Sequence, residues 1–214
     1  MQTSKTLEEN NFIIQRGLWD SKKRRLTICT EFIQFDDELS PAKPYSRFET
    51  DEITEFRYGI NWIRGFEFTI GREYQIFLRN KSNKVFKINF KSFYGVRKNE
   101  LHKLYCDIFD ALWASCFSKI SRNLITKFHN GEVVEFENLI LAKDGISFKK
   151  YKNEKKIIPW EKVGTRNYQT YFSIYSNENP ANINCTLSYL KDWNTGVIYS
   201  VLQSILEEKN FFQE

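Results

Sequence analysis

Apolar and polar positions alternate along this chain with two different periods, and the change of period marks the elements. Residues 26–35 read LTICTEFIQF and residues 139–148 read LILAKDGISF. Leu26 matches Leu139, Ile33 matches Ile146 and Phe35 matches Phe148, while Ile28/Leu141, Cys29/Ala142 and Glu31/Asp144 are alike in kind. Each segment predicts two short strands around a tight turn. Lys143-Asp144-Gly145 carries the turn chemistry of the second, since Asp tolerates and Gly favours positive φ. Thr30-Glu31-Phe32 lacks a glycine and requires another turn type.

A polar stretch follows each hairpin, and then further strand-like runs. In the first half these are 53–60, 65–70, 73–79 and 84–90, with Asn80-Lys81-Ser82-Asn83 as a hairpin loop. In the second half they are 156–158, 162–168, 170–175 and 182–188, with Asn177-Glu178-Asn179-Pro180 as the matching loop. Phe66, Phe68 and Ile70 alternate with polar residues, as do Phe86, Ile88 and Phe90, a half-buried antiparallel signature. The period then lengthens. No Gly or Pro lies between Gly95 and Gly131, and Leu101, Leu104, Tyr105, Ile108, Phe109, Leu112, Trp113, Cys116, Phe117, Ile120 and Leu124 recur at helical steps. One helix of about 30 residues, roughly 45 Å, fits that interval; Ser121-Arg122-Asn123 is the alternative break. Asp192-Trp193-Asn194 caps a final helix bearing Val197, Ile198, Val201, Leu202, Ile205 and Leu206.

Two rounds of hairpin, meander and closing helix resemble the pleckstrin-homology-like (PH-like) superfold in its bacterial PH and GRAM-like variants. The resemblance is carried most specifically by LILAKDGISFKK (139–150) followed by KIIPWEKV (156–163), with LTICTEFIQF and ETDEITEF (49–56) as a diverged version. It implies an α+β, mainly β chain: two PH-like antiparallel β-barrels or sandwiches, each closed by a C-terminal helix. The modules span 16–118 and 131–209, with 119–130 as a helical linker continuing the first module's helix. Known members of the superfold bind phosphoinositides, other lipids, peptides or partner domains. Phosphoinositide-binding members usually carry several Lys and Arg in a long first-hairpin loop, whereas both turns here are short with an acidic residue at the centre.

Composition sharpens the functional reading. The 214 residues are 41% apolar and 28% charged, which excludes collagen-like and disordered classes. The net charge of +5 is unevenly spread: residues 1–127 hold 22 Lys+Arg against 16 Asp+Glu, and residues 128–214 hold 10 against 11. No uncharged apolar run approaches the ~20 residues of a membrane span, and MQTSKTLEENNF lacks the apolar core of a secretory signal. A cytoplasmic protein is expected, with peripheral attachment at the inner membrane surface as a further possibility. Cys29, Cys106, Cys116 and Cys185 lie far apart without a C-x-x-C, and read as free thiols. With only His102 and His129, neither a metal centre nor a His-dependent nucleophile is expected.

Phosphate-loop, dinucleotide, zinc-protease and hydrolase motifs are all missing. The carboxylate clusters Asp36-Asp37-Glu38 and Asp51-Glu52…Glu55 have no His or Cys beside them. The chain therefore reads as non-enzymatic and without cofactors. Candidate binding residues are the basic run Lys22, Lys23, Arg24 and Arg25, and Lys149, Lys150 and Lys152 after the second hairpin. Arg57, Tyr58, Trp62, Arg64 and Phe66 mix basic and aromatic side chains, but the strongly basic stripe of a nucleic-acid binder is absent. Leu18-Trp19 and Phe211-Phe212 either dock onto their own module or face a partner. The expectation is an interaction scaffold that binds a protein partner; the alternative is peripheral binding to anionic phospholipid through the basic first module.

Overall fold

The computed structural model describes residues 9–17, 20, 22–36, 45–149 and 157–209. These divide into two compact units, one ending at Lys119 and the other beginning at Ile120. The molecule is mainly β, with its strands paired antiparallel in several sheets and a few helices.

In the first unit, β1 (Asn10–Ile14), β2 (Arg24–Ile28), β3 (Phe32–Asp36) and β4 (Tyr45–Glu49) form one sheet in chain order. A 3-10 turn at Thr50–Glu52 leads to β5 (Ile53–Arg64), β6 (Thr69–Asn80) and β7 (Val85–Phe93), which form a second sheet. Helix α1 (Lys98–Leu112) follows, then a π-helical turn at Trp113–Phe117 and α2 (Ser118–His129), which straddles the division between the units. In the second unit, β8 (Val134–Glu135), β9 (Leu139–Ala142), β10 (Gly145–Phe148) and β11 (Ile158–Pro159) form a four-stranded sheet. A 3-10 turn at Trp160–Lys162 precedes the three-stranded sheet of β12 (Val163–Asn167), β13 (Tyr171–Ser176) and β14 (Asn184–Ser188), and α3 (Thr195–Glu208) ends the unit.

The order of elements is thus the same in both units, down to the register of one hairpin. Leu26 pairs with Phe35 and Ile28 with Ile33; Leu139 pairs with Phe148 and Leu141 with Ile146. All eight side chains are buried. Strand period explains this: side chains of one face recur every second residue, so matched apolar spacing yields matched register. The helices also begin alike. Arg97 (φ 54°, ψ 22°) and Asn194 (φ 60°, ψ 18°) sit in the left-handed region immediately before α1 and α3.

Each unit has its own apolar interior. In the first, Phe56, Tyr74, Ile76, Leu78, Ile88 and Phe90 of the β5–β7 sheet are buried with Leu101, Ile108, Leu112 and Phe117 of the helical segment. In the second, Phe172, Ile174 and Leu187 are buried with Val197, Ile198, Val201, Leu202 and Ile205 of α3.

Several expectations need correction. The sheets are open, and among the described residues no strand pairing closes either unit into a barrel. The hairpin marked by the repeated sequence is not the first of its sheet. β1 and β8 precede it, each pairing with the hairpin's first strand. β1 alternates too weakly in sequence to stand out, because most of its residues remain solvent-exposed. Residues 65–70 are not a strand of their own: the Gly65 N–H donates to the Phe68 carbonyl at 2.7 Å and closes the β5–β6 turn. Phe66 is fully exposed and Phe68 is 65% exposed. The helical backbone does not break at Ser121-Arg122-Asn123, and its irregularity is the π-turn. The wider π-turn shifts the apolar stripe by one residue, which brings Phe117 onto Phe56 with ring centroids 3.5 Å apart and planes at 6°.

Candidate functional site

The inner face of the β5–β7 sheet is laid out in rungs across three strands. Tyr58, Ile76 and Ile88 form one rung, Ile60, Tyr74 and Phe90 the next, and Trp62, Arg72 and Ser92 the last. Helix α1 covers the first two: Phe109 lies 4.5 Å from Tyr58, Tyr105 lies 5.4 Å from Tyr74, and the Tyr74 hydroxyl donates to the Lys98 carbonyl at 3.4 Å. Lys98 is the first residue of the helix, so the third rung extends beyond it. The strand pair outruns its cover by one rung.

A cavity of about 240 Å³ occupies that step, lined by Trp62, Arg72, Ser92, Gly95 and Lys98 among others. The Arg72 guanidinium lies 4.2 Å over the Trp62 ring, a cation–π contact. Ser92 donates to the Val96 carbonyl at 2.9 Å and fixes the β7–α1 corner. Gly71 is required for the close strand approach, because a Cβ there would lie 2.6 Å from the Ser92 carbonyl oxygen. Among the described residues no ion pair engages Arg72 or Lys98.

On the other side of the corner lies a second cavity, about 220 Å³, lined by Gln15, Gly17, Lys91, Val96, Arg97 and Leu101. Its cations are engaged. Arg97 donates to Gln15 Oε1 at 2.9 Å and pairs with Glu100, and Lys91 Nζ lies 3.4 Å from Glu73. The Arg97 guanidinium holds the Glu100 carboxyl below its usual range.

The corner also carries exposed apolar surface: Phe66 and Phe68 on the β5–β6 turn, and Tyr94 (76% exposed) and Val96 on the β7–α1 turn. The two turns are tied together, the Tyr94 N–H donating to the Ile70 carbonyl at 2.8 Å. Beside them runs β5, at the edge of its sheet, with no strand on its outer side among the described residues. Tyr58 on β5, Phe109 on α1 and Trp113 in the π-turn are half-buried along that edge. Burial raises the Tyr58 hydroxyl above its ordinary pKa.

The basic run at 22–25 does not form a single patch. Lys22, Lys23 and Arg25 are exposed, but Arg24 is only 8% exposed and bonds the Asp20 carboxylate at 2.6 Å. Strand alternation turns Arg24 inward while Arg25 faces solvent. The Arg24 hydrogen bond holds the Asp20 carboxyl below its ordinary value. Lys149 Nζ lies 3.2 Å from Glu135, while Lys150 and Lys152 fall outside the described residues, as do Leu18, Trp19, Asp37, Glu38, Phe211 and Phe212.

The basic-aromatic stretch of β5 is divided between two faces. Arg57 stacks on Phe77 at 4.9 Å, while Tyr58 and Trp62 belong to the inner face. Cys106 is exposed with its Sγ 4.0 Å from His102 Nε2, but desolvation and the nearby Asp110 and Asp107 push its thiol pKa up. Burial pushes the Cys116 thiol up to about 12. None of the four cysteines is in a disulfide, and no cluster of three or more potential metal ligands occurs among the described residues.

Sequence reasoning missed the exposed corner, although one signal was present. Gly65 before Phe-Glu-Phe separates two long strand runs, and a glycine there marks a turn more readily than a strand interior. No helix among the described residues is long and apolar enough to cross a membrane. No family model, curated protein or solved structure matches the chain.

Proposed function

We propose that the chain is a non-enzymatic interaction protein made of two diverged PH-like modules, and that the first binds an extended segment of a protein partner along β5. The repeated order of four strands, 3-10 turn, three strands and helix supports the module reading, as do the matched hairpin registers.

The position of β5 at the edge of its sheet, with no strand paired on its outer side among the described residues, is the observation that carries the binding role. The strand is twelve residues long and lies beside the half-buried aromatic row of Tyr58, Phe109 and Trp113. An edge strand presents unpaired N–H and C=O groups that another strand satisfies by extending the sheet. Alternate side chains of such a segment would face the aromatic row, where Tyr and Trp provide large contact areas at low entropic cost.

Selection of a displayed random-peptide library against the full chain tests this reading. Enriched peptides should alternate apolar and polar residues, shift the amide resonances of β5 and α1, and lose affinity at least tenfold on Tyr58→Asp/Trp113→Asp substitution. Resonance shifts confined to another surface would overturn the assignment to β5.

A further inference from the structure

Helix α1 carries two metal-ligating side chains on one exposed face. His102 and Cys106 are four residues apart, and the helical repeat sets side chains at that spacing one above the other. Both are exposed, and Cys106 Sγ lies 4.0 Å from His102 Nε2. Two donors of one tetrahedral ion, at bond lengths of about 2.3 Å to sulfur and about 2.0 Å to nitrogen, stand about 3.5 Å apart. A small rotation about the side-chain bonds closes that difference without moving the backbone. The Tyr74 ring flanks the imidazole, with centroids 6.0 Å apart. The scarcity of histidine argues against a centre built from several imidazoles, not against a chelate of one imidazole and one thiol.

We propose that His102 Nε2 and Cys106 Sγ together chelate a single thiophilic divalent cation such as Zn2+.

The donor set selects the ion. Thiolate and imidazole suit Zn2+ and its heavier congener Cd2+, whereas Mg2+ and Ca2+ take oxygen ligands. On binding, the thiol proton passes to solvent as the sulfur–metal bond forms. The neutral imidazole gives its Nε2 lone pair, and water fills the two remaining positions. The surrounding charge has the sign a cation needs. Asp110 and Asp107 set a negative field at the sulfur, and the cation beside them, Lys103, is paired with Asp107 at 2.7 Å. Two donors make a weaker site than the four side chains of a structural zinc, so the ion is exchangeable. Because the chelate bridges one turn of α1, binding also favours the folded chain.

The other soft donors of the chain are placed differently. Cys29, Cys116 and Cys185 are buried, and His129 lies 3.4 Å from Glu208. The proposal is independent of the β5 assignment, since it uses neither that strand nor its aromatic row.

The test is titration of the reduced, untagged full chain with Cd2+, whose bond to thiolate gives an ultraviolet charge-transfer band. The band should saturate at one ion per chain, fall when Zn2+ competes and be untouched by excess Mg2+. Cys106→Ser should abolish it. His102→Ala should weaken Cd2+ binding at least tenfold, through loss of one arm of the chelate, while His129→Ala should leave binding unchanged. Both side chains are exposed, so the metal-free variants should keep the circular dichroism spectrum of the original chain. Zn2+ should raise the thermal midpoint of the original chain more than that of either site variant. The proposal is overturned by absence of the band, by its survival in Cys106→Ser, or by undiminished Cd2+ affinity in His102→Ala, which would leave a single thiol as the donor.

Discussion

Trp160 Nε1 donates to the Lys143 carbonyl at 3.0 Å, and to that of Ala142 at 3.1 Å, so that the first residue of a 3-10 turn clamps the β9–β10 turn. Thr50 occupies the same place in the first unit, its hydroxyl donating to the carbonyls of Thr30 at 2.7 Å and Glu31 at 3.1 Å. An indole and a hydroxyl thus bond the carbonyl at one equivalent turn position, Lys143 in the second unit and Thr30 in the first. Trp160→Phe should keep the ring packing but lose about 1 kcal/mol, and Thr50→Val a similar amount, the net contribution of a typical hydrogen bond whose acceptor can turn to water. Chemical denaturation of each variant checks this, and a loss near zero would remove the clamp from the account.

Gly145 is the position least able to take a side chain. Its φ is 155°, and a Cβ would lie 2.1 Å from the Ile158 carbonyl oxygen on the paired β11. Gly145→Ala should therefore destabilise by about 2 kcal/mol or more, since backbone must shift rather than a flexible side chain. The drop in thermal midpoint measures it.

Phe56→Ala and Phe117→Ala should each cost about 3–5 kcal/mol, the range for emptying a large aromatic site in a packed core. Because the rings stack at 3.5 Å, the double variant should cost clearly less than the two single losses combined. Equilibrium unfolding of the four-member cycle gives the coupling, and strict additivity would contradict the stacking.

The Asp20–Arg24 contact predicts an acid-labile contribution. The folded Asp20 carboxyl sits below its ordinary value of 3.8, so its stabilisation is present above that pH and is lost as pH falls through the lower folded value. The stability gap between the protein and Asp20→Asn should be constant near neutrality and close on the acid side of pH 3.8. A gap that widened in acid would reverse the sign.

Thiol titration under native conditions should count one accessible cysteine, Cys106, reacting slowly because its pKa is raised, and four after unfolding. Fast labelling of Cys106 at neutral pH would show a thiolate that the environment of Asp107 and Asp110 does not support.

The sequence by itself determined what a few neighbouring residues encode. The spacing of Leu26, Ile28, Ile33 and Phe35, and of their counterparts at 139–148, specified two hairpins and their register, because a strand's period leaves one way to bury every second side chain. The helical stripes from Leu101 onward and from Val197 onward were legible for the same reason. Tertiary structure decided which of those surfaces is covered. Phe66 and Phe68 carry the same alternation as Phe86 and Ile88, yet one pair meets water and the other the core. The difference is that β5 and β6 extend a rung beyond Lys98, a length relation between segments far apart in sequence. Arg24 likewise turned from a surface cation into a buried partner of Asp20 once β2 took its place between β1 and β3. Local periodicity is a property of adjacent residues, whereas exposure depends on what the rest of the chain lays over them.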